Sequence, residues 1–96
     1  MIGIEAIGVH IPRTRISNLD RASKFSTDKD FIKNKIGIEY VSRKEINDNT
    51  STLAIKSIRN LLDKHSFDIE SIEALILVTQ TPDSNIPHTS AVIHGE

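Results

Sequence analysis

Apolar residues at positions 2–9 alternate like those of an extended chain. Ile2, Ile4 and Ala6 share one face, and Ile7 and Val9 share the other. A segment apolar on both faces toward its end predicts a strand covered from both sides. Pro12 ends it, because proline has no N–H to give a ladder. Ser17 and Asn18 can cap a short helix reaching Lys24. A second helix is predicted over roughly 28–36, where Phe31, Ile32 and Ile36 recur at helical spacing behind Ser26, Thr27 and Asp28. Gly37 stands where a glycine stops a helix, and residues 38–43 read as a short extended piece.

The clearest element follows a polar turn at 47–49. Thr50 or Ser51 caps a helix running to about His65. Ala54, Ile58, Leu61, Leu62 and His65 fall on one face, with Lys56, Arg59, Asn60 and Asp63 outward. Asp68 opens a single turn ending near Ile72. The nearly continuous apolar run at 74–78 then predicts a buried strand. Pro87 marks a further helix start. Strand, excursion, helix and buried strand make a βαβ-type arrangement with a parallel sheet. Two or three such strands leave open edges and an uncovered face, so the expectation is the front portion of a larger α/β domain.

Composition adds boundaries. With 96 residues the chain has room for one small domain at most. It has no cysteine, which excludes disulfides, thiolate metal sites and a cysteine nucleophile within it. No apolar stretch approaches the ~20 residues of a membrane span. The N-terminus lacks the basic and apolar regions of a signal peptide, so a cytoplasmic location is expected.

Charge is uneven. The net charge is −1, yet residues 13–44 hold nine of the twelve Lys and Arg and four of the thirteen acids, which makes that stretch +5. A basic stretch of this kind suits an anionic partner such as a nucleotide-containing ligand, an acidic carrier protein or nucleic acid; a solvated charged face is the other reading.

The candidate chemistry narrows quickly. His88 and His94 are six apart and would not share a helical face, so no metal site is expected. Ser90 lacks a nucleophile elbow and a third partner. Gly3 and Gly8 are too far apart for a dinucleotide-binding loop. Asp28 and Asp30 suit the positive end of a helix better than acid–base work. No catalytic residue is assigned. The run from Thr79 to Asp83 leaves the predicted strand at its carboxyl end, where parallel sheets collect ligands.

Three stretches, taken in order, resemble the β-ketoacyl-acyl-carrier-protein synthase III group of the thiolase superfamily. They are IGIEAIGVHIPRTRISNLD, DFIKNKIGIEYVSR, and the final run from NTSTLAIKSIRNLL through LILVTQTPDSNIPHTSAVIHGE. The resemblance implies a thiolase-like αβαβα fold, of which residues 1–96 would form the first part of the N-terminal half. It implies an acyltransferase that condenses an acyl thioester with malonyl-acyl carrier protein, with decarboxylation. The family's catalytic cysteine, histidine and asparagine match nothing here, so this stretch alone is not expected to be active.

Carried over residue by residue, Phe31 matches the family's tryptophan that stacks on the adenine of coenzyme A. Lys35 matches its phosphate-binding arginine, keeping the charge without the bidentate fork. Ile36 replaces a threonine and cannot hydrogen-bond, which implies a divergent member. Ile86 matches a residue lining the acyl pocket across a dimer interface. The implied partners are acyl carrier protein, acyl-coenzyme A or another acyl thioester as substrate, and a second copy; no resident cofactor, membrane or nucleic acid is expected. The alternative is a small stand-alone module that binds an anionic partner through residues 13–44.

Overall fold

The computed structural model describes residues 2–96, which divide into two compact units, Ile11–Ile46 and residues 2–10 with Asn47–Glu96. In the first unit a short antiparallel ladder joins β1 (Arg15–Ser17) to β2 (Tyr40–Ser42). Arg15 lies opposite Ser42, Ile16 opposite Val41 and Ser17 opposite Tyr40. The Asn18 amide donates to the Glu39 carbonyl (2.7 Å) and the Arg43 amide to that of Thr14 (2.8 Å), extending the pairing at both ends.

Ser17 therefore ends a strand, and its hydroxyl accepts the Asp20 amide at 3.2 Å, which caps the turn that follows and not a helix. The helix expected to reach Lys24 contracts to a 3-10 turn at Ala22–Phe25, closed by Ser26 at φ 52°. Next, α1 (Lys29–Phe31) begins as expected. The Asp28 carboxylate accepts the Phe31 amide at 2.7 Å, which satisfies a donor that the first turn leaves free. The helix then widens into a π turn over Ile32–Ile36. Gly37 ends it at φ 74°, a left-handed conformation that glycine adopts without a Cβ clash, and its amide donates to the Ile32 carbonyl. Ile32 and Ala22 are the buried apolar residues of this unit.

The second unit is built on α2 (Thr50–Lys64) and α3 (Thr89–Gly95), which pack together. The cap of α2 is Asn49, one residue before the predicted Thr50 or Ser51. Its side chain accepts the Thr52 amide while the Thr52 hydroxyl accepts the Asn49 amide, a reciprocal box. Asp68 caps the single 3-10 turn Ile69–Ser71 as expected.

Gly8 meets α2 at very short range. A Cβ there would lie 2.4 Å from the Ser57 carbonyl oxygen and 2.5 Å from Leu61 Cβ, so only glycine fits. One residue on, the Val9 amide donates to Asn60 Oδ1 (3.1 Å). Asn60, expected on the outward face, instead holds the N-terminal segment.

The two apolar segments expected as parallel strands, 2–9 and 74–78, form no ladder among the described residues. Both stay largely open to solvent; Ile76 is 86% and Val78 91% exposed. The physical reason is that a strand is held by its neighbours. Without partners for its N–H and C=O groups and cover for its side chains, an apolar sequence alone does not make a sheet.

Candidate ligand-binding site

The Asp28 cap and Gly37 stop fix a short helical stretch whose inner face carries Phe31, Ile32 and Ile36. With Phe25, Thr27 and Asn18 these residues line a cleft of about 350 Å³. Ile32 forms its floor, while Phe31 is 45% exposed. Asn18 turns its side-chain amide to the Ile38 carbonyl at 3.0 Å and braces the wall. Two aromatic side chains and two isoleucines suit a flat or aliphatic group, with Thr27 supplying a hydroxyl.

Of the residues singled out in the sequence, Phe31 and Ile36 thus share this cleft. Lys35 is exposed on the same turn but does not line it. Phe25 is a second aromatic wall that sequence reasoning passed over. The Arg21 guanidinium stacks over its ring, 4.9 Å from the centroid.

Ile86 belongs to the other unit, on the loop between the 74–78 segment and α3. It is 88% exposed, and its peptide bond to Pro87 is cis. That loop is anchored by a polar hub. The Ser51 amide at the start of α2 donates to Asp83 Oδ1 (2.9 Å), and the Asp83 amide donates to the buried Thr89 hydroxyl (3.0 Å). The Thr50 hydroxyl donates to the Thr81 carbonyl.

The Ser51 hydroxyl and then its amide hold the Asp83 carboxyl below its ordinary value, against a smaller opposing effect of burial; the Thr50 amide adds a little. The one hydroxyl proton of Ser51 is also within reach of Asn49 Oδ1 at 3.1 Å. Nearby, Lys56 pairs with the buried Asp48 at 2.5 Å. This hub was not predicted: its partners lie 31 and 32 residues apart in sequence, beyond any local pattern. His88 precedes α3 without a side-chain cap bond, and His94 is exposed. Among the described residues no group of three His, Asp or Glu is placed to hold a metal ion.

No family model matches the chain. Among curated proteins it is 33% identical to the beta-ketoacyl-[acyl-carrier-protein] synthase III of Neisseria meningitidis over 90 residues, which is 94% of this chain and 28% of that protein. The enzyme of the same name from Porphyromonas gingivalis is also 33% identical, over 97% of this chain and 28% of its own length. The crystal structure of the beta-ketoacyl-[acyl carrier protein] synthase III of Thermus thermophilus superposes with a TM-score of 0.86 at 31% identity, covering 98% of this chain and 29% of that one. The chain is thus related to these synthases over nearly all of its own length and spans under a third of theirs. The thiolase-like α/β class expected from the sequence stands on that superposition. No comparison supports the alternative of a stand-alone anion-binding module.

Proposed function

We propose that this chain is the ligand-entrance part of a 3-oxoacyl-acyl-carrier-protein synthase III-type acyltransferase, a decarboxylative condensing enzyme that joins an acyl thioester to malonyl-acyl carrier protein. The observation that carries the reading is the joint match in sequence and fold over 94–98% of the chain. In this reading Phe31 offers a ring face to the adenine of acyl-coenzyme A. Lys35, on the rim, meets a phosphate as a point charge. Ile86 lines the acyl pocket of a second copy in a homodimer. Acyl carrier protein is the other partner, and the setting is the cytoplasm.

Bond-making falls outside these residues. The chain has no cysteine to form an acyl-enzyme thioester. Its own contribution is to bind and orient. The adenine end is held by stacking and charge, so the affinity of the thioester depends on Phe31 and Lys35.

Saturation-transfer NMR with acetyl-coenzyme A tests the reading directly. Saturation is expected to pass from the protein to the adenine protons, and Phe31→Ala should reduce it several-fold. Lys35→Glu should weaken binding further as salt is lowered. Equal transfer in wild type and Phe31→Ala, or none in either, would overturn the assignment.

A further inference from the structure

A second cleft lies in the unit Ile11–Ile46, apart from the aromatic one. It is lined by Ile16, Arg21, Lys24, Val41, Ser42 and Arg43, and its volume is about 630 Å³. Three of its six lining residues are cations and none is an acid. Its apolar members, Ile16 and Val41, face each other across the ladder.

The cations are positioned by the fold. Arg21 is held against the Phe25 ring at 4.9 Å. Lys24 sits on the 3-10 turn Ala22–Phe25. Arg43 is fixed at the end of β2, where its amide donates to the Thr14 carbonyl at 2.8 Å. Among the described residues none of the three is ion-paired. Glu45, two residues from Arg43, accepts from the hydroxyl and amide of Thr14 instead (2.8 and 3.3 Å). Three like charges gathered in one concavity without a carboxylate repel one another until an anion enters, and a guanidinium pair suits the oxygens of a phosphoryl group.

We propose that this cleft is a phosphoryl-anion site, with Arg21, Lys24 and Arg43 as its ligands. Arg21 also backs Phe25, a wall of the aromatic cleft, so the two clefts adjoin through one side chain. A ligand with a ring at one end and phosphates at the other matches that pair. The site itself stands on this geometry; only the source of its phosphoryl groups, the nucleotide end of an acyl thioester, rests on the synthase reading. Free pyrophosphate offers the same chemistry without the ring.

The test is calorimetric titration of the 96-residue chain, at low and at moderate salt, with pyrophosphate, with adenosine 3′,5′-bisphosphate and with adenosine. Pyrophosphate should bind, and Arg21→Gln with Arg43→Gln should weaken it at least about fivefold. Phe31→Ala should leave pyrophosphate unchanged. Tighter binding of the bisphosphate than of pyrophosphate, lost in part in Phe31→Ala, would identify a nucleotide as the source; equal affinities would identify a free phosphoryl anion. Lys24→Gln, on an exposed turn, repeats the measurement should the double variant unfold, as circular dichroism would show. Absence of pyrophosphate binding, or binding unaltered by loss of these cations, overturns the site. That result leaves the synthase reading intact as long as acetyl-coenzyme A still depends on Phe31.

Discussion

At the scale of the residue, Asp83 does the most structural work for its size. One carboxylate oxygen accepts the Ser51 amide at the start of α2, and the same residue's amide reaches the buried Thr89 hydroxyl of α3. It ties together a helix start, a loop and a second helix. Because Ser51 holds its carboxyl below the usual value of 3.8, the folded chain binds that proton less readily than the unfolded chain does. The resulting stability is present above the unfolded value and is lost as pH falls through the folded one. Asp83→Asn should therefore lower the urea midpoint at neutral pH. The gap between variant and wild type should shrink as pH drops below about 3.8. Urea unfolding at a series of pH values checks this, and a gap constant down to the lowest pH would contradict it. Nothing near Asp83 in sequence advertises the role, since Thr-x-Thr-Pro-Asp reads as a polar loop and the Ser51 partner lies 32 residues away. Phe31 shows the reverse. Its helical register and Asp28 cap were legible from neighbouring residues, but Phe25, across the cleft, became visible only once the turn at Ser26 brought it round.

At the scale of the element, legibility followed the range of the forces. The helix α2, the stop at Gly37 and the cap at Asp68 depend on residues within one or two turns, and the sequence showed them. β2 falls inside the 38–43 piece read as extended, whereas β1 went unmarked, because the two strands are three residues each and pair across more than twenty. The cap of α2 moved by one residue because Asn49, Thr50, Ser51 and Thr52 are all plausible caps; what selects Asn49 is the return bond from Thr52 together with the engagement of the Ser51 amide by Asp83. Asn49→Ala removes the cap acceptor and should destabilise the chain by about 1 kcal/mol. Asn49→Asp keeps an acceptor at a positive helix end and should lose little. Chemical denaturation of both variants distinguishes this from a general sensitivity of the turn, which would penalise them alike.

At the scale of the molecule, the surface is too large for the mass. The chain exposes 8312 Å², whereas a folded monomer of 10.7 kDa is expected to expose roughly 5,500 Å². The excess is of the order buried in obligate interfaces. Part of it lies on identifiable segments: Ile2, Ile4 and Ile7 near the N-terminus, and Ile76 and Val78 before the Thr79–Asp83 turn, all exposed and all without a ladder. Aliphatic, β-branched segments with unpaired backbone seek strand partners. The 96-residue chain on its own should therefore bind a hydrophobic dye and self-associate as concentration rises through the micromolar range. Sedimentation velocity should show its mean mass growing with concentration, and Ile76→Lys with Val78→Lys should shift that growth about tenfold higher in concentration, while the α2 signal in circular dichroism is kept, because both side chains are almost fully exposed. Two results would count against this account: a chain monomeric at all concentrations that binds no dye, or self-association that the lysine pair leaves unchanged. The second would assign the excess surface to residues 2–9, whose Gly8 contact with α2 would then be holding an adhesive segment in place.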